Sequence, residues 1–66
     1  MSYEVFKRRV NARIAQAGCA YKARFFNDTD KGRFFAFLPD GTQIIANPVS
    51  TKVTFRQRNH TYMGVI

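Results

Sequence analysis

The N-terminal part of the chain has the hydrophobic pattern of one face of an α-helix. Apolar side chains recur there at helical spacing, at Tyr3, Phe6, Val10, Ile14 and Ala17. Ser2 is a suitable N-cap, and Gly18 can end the helix in the left-handed conformation. The sequence therefore predicts a helix over about residues 2–17 that packs through these apolar positions.

After Gly18 the pattern changes to alternation between apolar and polar residues, which is typical of half-buried strands. Polar turns divide this part of the chain into strand-like segments at 19–26, 33–38, 42–46 and 51–58, with a short last strand possible at 62–66. Together these elements predict an α+β fold in which the helix packs on an antiparallel meander sheet of three to four strands. A sheet in so small a domain can also curl toward a half-barrel.

Turn residues separate the predicted strands. Pro39 presets φ for the second position of a type I turn, and Gly41 supplies the positive φ that follows, so a hairpin joins the second and third strands. A polar turn is predicted at 27–32, and a polar break at 59–61. Three of the four acidic residues, Asp28, Asp30 and Asp40, fall in turns, and we interpret them as turn residues rather than catalytic carboxylates.

Alternation sorts the strand residues into two faces of different chemistry. One face is almost wholly apolar, the helix can cover it, and it forms the predicted core: Tyr21, Ala23, Phe25, Phe34, Ala36, Leu38, Ile44, Ala46, Val53 and Phe55. The other face is basic and contains aromatic rings: Lys22, Arg24, Arg33, Phe35, Phe37, Gln43, Ile45, Lys52, Thr54, Arg56 and Arg58.

Composition narrows the class of partner. The chain has 66 residues, enough for one domain, and its 11 Lys and Arg against 4 acidic residues give a net charge of +7. Such a balance favours a polyanionic partner, nucleic acid first and an anionic membrane surface second, although charge can also serve solubility alone. No apolar run is long enough for a membrane span, and we expect a cytoplasmic protein without a membrane partner.

The chain is poor in residues that carry catalysis. Cys19 is its one cysteine and His60 its one histidine, so an internal disulfide and a Cys/His metal cluster are excluded within one chain, and we expect no Cys-His or Ser-His-Asp site. We therefore expect a non-enzymatic protein with no cofactor, no metal and no small-molecule substrate.

The basic face predicts binding of nucleic acid, preferably single-stranded RNA or DNA. Exposed rings can stack on unpaired bases while cations neutralise phosphates. Stacking is assigned to Phe35 and Phe37, and phosphate binding to Lys22, Arg24, Arg33, Lys52, Arg56 and Arg58. Duplex DNA remains an alternative through the helix residues Arg8, Arg9 and Arg13.

Several alternatives stay open on the sequence alone. The sheet could curl until Phe35 and Phe37 form a second core, or two copies could bury this face in a homodimer. The chain could instead be a small accessory or inhibitor module, of the phage or mobile-element type, that docks on an acidic protein surface. An amphipathic segment with arginines at 3–17 is also typical of a mitochondrial presequence or a membrane-surface helix.

Several short motifs follow one another in residues 25–55: Phe26-Asn27, Lys31-Gly32, the segment 35–38, the turn 39–41 and the segment 52–55. In this order of motifs the segment resembles a cold-shock domain, a family with an OB-like nucleic-acid-binding fold. The resemblance implies that Lys31, Phe35 and Phe37 bind single-stranded RNA or DNA, and that Phe25 takes the place of a stacking Trp. The chain departs from the family pattern at Ala36, where the family has Gly, and in lacking a Phe-x-His element near 44–47.

Overall fold

The computed structural model describes residues 1–18 and 22–66. The elements in these residues are one helix and five strands: α1 (Tyr3–Gln16), β1 (Arg24–Asp28), β2 (Arg33–Phe37), β3 (Gln43–Ala46), β4 (Val53–Gln57) and β5 (His60–Gly64). The strands form one antiparallel sheet in the order β1-β2-β3-β4-β5, with β1 and β5 at its edges. The predicted α+β fold is confirmed, with the helix packed on a meander sheet.

The sheet has five strands, so the predicted number of three to four is wrong. The short last segment is a full strand that pairs with β4 from Gln57↔His60 to Val53↔Gly64, and the polar break predicted at 59–61 is a tight turn at 58–59. Likewise, β1 continues through Asn27 and Asp28 because both residues pair with β2. In these places backbone pairing outweighs the turn preference of polar residues. Residues 19–21, with the predicted start of the first strand and the predicted core residue Tyr21, lie outside the described residues.

Both ends of α1 have the predicted capping residues. The Val5 amide donates to Ser2 Oγ at 3.2 Å, and Gly18 follows the helix at φ +72° with its amide donating to the Ala15 carbonyl at 3.0 Å. The residues of α1 that are buried against the sheet are Phe6, Val10 and Ile14. Ala17 is exposed, because the helix has ended at that position, so its predicted place on the packing face is wrong.

The core lies between α1 and one face of the sheet, as the alternation predicts. The buried strand residues are Phe34, Ala36, Ile44, Ala46, Val53 and Phe55, and Ala23, Phe25 and Leu38 pack against them. The ring centroid of Phe6 lies 5.8 Å from that of Phe34 and 6.1 Å from that of Phe25. The helix supplies most of the cover of this face, and Met1 and Ile66 also pack against the core.

The second face of the sheet, which we call the open face, has no element packed on it in residues 1–18 and 22–66. The sheet is not closed into a barrel, since β1 and β5 do not pair with each other. Phe37 is 37% exposed, and Phe35 is only half-buried. The alternative in which a curled sheet makes these rings a second core is therefore wrong for the single chain.

The two edges of the sheet differ in charge. β1 carries Arg24 and Asp28, whereas the sequence of β5, from His60 to Gly64, contains no Lys, Arg, Asp or Glu. Tyr62 of β5 stacks on Phe55 with ring centroids 5.0 Å apart. Gly64 lies so close to the same ring that a Cβ at this position would be 3.2 Å from Phe55 Cε2.

The loop at 47–52 between β3 and β4 is held by its own hydrogen bonds. Asn47 Oδ1 accepts from the amides of Val49 at 2.9 Å and Ser50 at 2.7 Å. The amino group of Met1 donates to the carbonyls of Pro48 at 3.2 Å and Ser50 at 3.1 Å. These bonds hold the loop against the start of the helix. They therefore also fix the position of Lys52, which directly precedes β4.

Candidate functional site

The open face is organised around residues that lie opposite one another on all five strands. Register pairs Phe26 with Phe35, Phe35 with Ile45, Ile45 with Thr54 and Thr54 with Met63. We call these five residues the cross-strand row. With strands about 4.8 Å apart, the row extends about 19 Å at right angles to the strand direction. It is an almost continuous apolar band on the side of the sheet that α1 leaves uncovered.

Three phenylalanine rings group at the β1–β2 end of this face. The rings of Phe35 and Phe37 stack with centroids 5.9 Å apart and planes 10° apart, and Phe26 lies 6.2 Å from Phe35. We call Phe26, Phe35 and Phe37 the aromatic cluster. Phe26 is 54% exposed and Phe37 is 37% exposed, so each retains free ring surface. Flat, accessible rings are the surface on which nucleobases stack.

Basic residues border the cross-strand row on both sides. Toward one end of the strands, Arg24 lies opposite Phe37, and Arg56 lies opposite Gln43. Toward the other end lie Arg33 and Lys52, and successive residues on one face of a strand are about 7 Å apart. Cations thus flank the apolar band on both sides, and their long side chains can reach from their own positions to the band.

These cations have no acidic partners in the described residues. In residues 1–18 and 22–66 the one ion pair joins Lys7 Nζ to Glu4 Oε1 at 3.3 Å, on the helix. Asp28 alternates onto the open face beside Arg33, but its carboxylate accepts the amide of Lys31 at 3.2 Å. In the described residues no cation of the open face is therefore held in an ion pair, although the negative charge of Asp28 lies beside Arg33.

A cleft lies on this face over the C-terminal end of β3. Arg33, Lys52 and Arg56 line it, together with the polar residues Asn47, Ser50 and Thr54 and the apolar residues Ile45, Ala46 and Met63. It is open to solvent and has a volume of about 220 Å³. We call it the cationic cleft.

The remaining residues predicted to bind nucleic acid lie at the ends of the sheet. Lys31 is in the β1–β2 turn and Arg58 in the β4–β5 turn, which are at opposite ends of the strands. Lys22 is exposed and precedes β1. The structure therefore brings Arg24, Arg33, Phe35, Phe37, Lys52 and Arg56 together on the open face, and leaves Lys22, Lys31 and Arg58 at its periphery.

The sequence reasoning missed two residues of the site. Phe26 has the same parity as Arg24, and this signal could have placed it on the basic face. Met63 could not have been placed without the pairing of β5 with β4. Phe25, to which the resemblance gives a stacking role, lies instead on the helix side, edge-to-face with Phe6 at an interplanar angle of 84°.

The basic residues of α1 lie on the other side of the sheet. Arg13 is placed over the Phe55 ring with its guanidinium carbon 4.9 Å from the centroid, and Lys7 lies 4.8 Å from the centroid of Tyr3. Arg9 donates to the Ile66 carbonyl at 3.4 Å. Arg8 is exposed, and in the described part of the chain its side chain shows neither a ring contact nor a hydrogen bond.

The acidic residues of the turns have structural partners. Asp40 Oδ1 accepts the Thr42 amide at 2.9 Å, and this hydrogen bond lowers the pKa of the Asp40 carboxyl below its usual value. In the described residues, no group of three His, Cys, Asp or Glu side chains is arranged to hold a metal ion. Over the same residues, no helix has the length and apolar character needed to cross a membrane.

No family model, no curated protein and no solved structure matches this chain. The resemblance to a cold-shock domain therefore stays a prediction. The function must be inferred from the geometry of the open face.

Proposed function

We propose that this protein binds single-stranded nucleic acid through the open face, without catalysing a reaction. The observation that carries the proposal is the combination of the aromatic cluster with flanking cations on the side of the sheet that lacks a cover. Each element of this surface matches one part of a nucleotide chain. Rings accept bases, and guanidinium or ammonium groups accept phosphates.

The aromatic cluster supports a single strand over a duplex. Bases in a duplex are stacked on each other, so their flat surfaces are not accessible to Phe26 or Phe37. Unpaired bases can leave their own stack, and each base that stacks on a protein ring contributes about 1 to 3 kcal/mol. Because every base has a flat surface, we expect such binding to tolerate many sequences.

The charges support a polyanion over an apolar partner. Arg24, Arg33, Lys52 and Arg56 border the cross-strand row, and none of them has an ion pair in the described residues. A second copy of the chain is a poor occupant, since it would bring four more cations against these four. A strand of nucleic acid satisfies both the cations and the rings.

The test is a salt titration of binding to fluorescent 12-mers, single-stranded and duplex, followed by anisotropy. If all four open-face cations neutralise phosphates, the logarithm of the affinity for the single strand falls against the logarithm of salt concentration with a slope of about −3, at about −0.7 per phosphate. We expect the single strand to bind more tightly than the duplex at each salt concentration.

A matched pair of variants assigns the binding to one side of the sheet. Arg56→Gln removes a charge from the open face, and Arg8→Gln removes an exposed charge from the helix. We expect the first to lower affinity and the slope, and the second to change little. Tighter duplex binding that depends on Arg8 would move the site to the helix. Failure of every oligonucleotide to bind at low salt would favour docking on an acidic protein surface.

A further inference from the structure

The cationic cleft has a composition that differs from the rest of the open face. Its three basic residues come from separate segments: Arg33 begins β2, Lys52 precedes β4, and Arg56 lies within β4. Strands β2 and β4 flank β3, so these side chains approach the cleft from both sides of Ile45. No carboxylate lines the cleft in the described residues.

The polar residues of the cleft add hydrogen-bond donors. Both lone-pair directions of Asn47 Oδ1 are used by the amides of Val49 and Ser50, so the group of Asn47 that stays free in the described residues is its NH₂ donor. Thr54 contributes a hydroxyl. Three cations with added donors are suited to a group that has several anionic oxygens, and Arg matches phosphate oxygens in a bidentate way.

The cleft is built on a supported segment. Asn47 and Ser50 belong to the loop whose carbonyls accept from the Met1 amino group, at 3.5 Å for Asn47 and 3.1 Å for Ser50. Ser50 Oγ also accepts the Lys52 amide at 3.1 Å. The backbone of the cleft wall is therefore fixed before a ligand arrives, which reduces the ordering cost of binding.

The cleft lies next to the aromatic cluster along the cross-strand row. Ile45 lines the cleft and is the direct neighbour of Phe35 across β2 and β3. The adjacent strand positions are about 5 Å apart, so the Phe35 ring and the centre of the cleft are separated by one to two strand spacings. A single nucleotide can bridge such a distance with its base at one end and its phosphate at the other.

From this placement we infer that the cationic cleft is a phosphate subsite, and that one nucleotide unit binds with its base on the aromatic cluster and its phosphate among Arg33, Lys52 and Arg56. The direction from base to phosphate in this nucleotide then crosses the strands. This inference rests on the proposed function and adds to it the position and minimal size of the ligand.

The test uses a thymidine tetranucleotide and a set of analogues in which one phosphate at a time is replaced by an uncharged methylphosphonate. We expect one analogue to bind the wild-type protein several-fold more weakly than the others do. Lys52→Gln should lower the affinity for the parent tetramer and should remove the difference between that analogue and the rest. Arg8→Gln is the control, because Arg8 has the same charge and is exposed on the helix, outside the cleft.

Three outcomes are informative, and thermal melting confirms that each variant is folded. If the tetramer binds but Lys52→Gln and Arg8→Gln behave alike, the subsite is refuted while the proposed function stands. The same holds if the analogue difference survives in Lys52→Gln. If no oligonucleotide binds, the proposed function fails. Inorganic pyrophosphate then tests the cleft alone through the ¹⁵N shifts of Lys52 and Thr54, and unchanged shifts refute the subsite as well.

Discussion

Two phenylalanines of β2 allow the division between core and open face to be tested within one strand. Phe34 is 5% exposed on the helix side, and Phe37 is 37% exposed on the open face. Fully burying a Phe side chain stabilises a protein by about 1.5 to 3 kcal/mol. Because Phe37 is only partly buried, its burial contributes about 1 to 2 kcal/mol. Replacing a core Phe by Ala costs about 3 to 5 kcal/mol, since it also leaves a cavity.

We therefore expect Phe37→Ala to remain folded and Phe34→Ala to lose much of its stability. A domain of this size has a total stability of about 3 to 10 kcal/mol, so the core substitution removes a large part of it. Urea denaturation followed by circular dichroism gives the free energy of unfolding of both variants.

Binding should respond in the opposite way. Loss of one stacked base costs about 1 to 3 kcal/mol, which corresponds to an affinity for single-stranded oligonucleotides lower by about 5-fold to 150-fold. Anisotropy titration of Phe37→Ala measures this loss in a folded protein. If Phe37→Ala unfolds as readily as Phe34→Ala, the ring belongs to the packing of the domain. If it is stable and binds as tightly as wild type, the stacking role is refuted.

Two further predictions concern the turns and the β5 edge. The hydrogen bond from Thr42 lowers the Asp40 pKa in the folded state, so its contribution is present above the unfolded carboxyl pKa of about 3.9 and is lost as pH falls through the lower folded value. Asp40→Ala should therefore destabilise the protein at neutral pH and converge with wild type in acid, as measured by urea melts across pH. Gly64→Val should lower the free energy of unfolding by about 1 to 3 kcal/mol, because the new side chain meets the Phe55 ring. Met63→Val, on the open face, should lower it less in the same melts. Equal losses of stability in the two variants would contradict this packing.

The two faces of β2, β3 and β4 could be predicted because their residues alternate strongly. In β2, Phe34 and Ala36 share one face, and Arg33 and Phe35 share the other. The apolar pair must therefore face the helix, since a shift of one residue would place an arginine under it. The Pro39-Asp40-Gly41 turn then fixes the pairing of β2 with β3. Local chemistry and tertiary packing agree in this part of the chain.

The rest of the fold depended on interactions that local preference does not contain. Asn27 and Asp28 have turn preferences, yet they are in β1 because β2 offers them partners. β5 lacks clear alternation because, apart from Gly64, it is exposed along its length. The cationic cleft could not have been predicted because Lys52 is 19 positions from Arg33 in the sequence, and only the register across β3 brings both to one place.

Because the β5 edge is uncharged, we expect any self-association of the protein to depend on its ionic surroundings. Edge strands without charged residues can pair with the same strand of another molecule, which would join two sheets end to end. A net charge of +7 keeps separate molecules apart in dilute salt. If the protein binds single strands as proposed, the bound polyanion cancels that repulsion. We then expect molecules gathered on one long strand to meet at β5 and to form filaments or condensates that neither component forms alone.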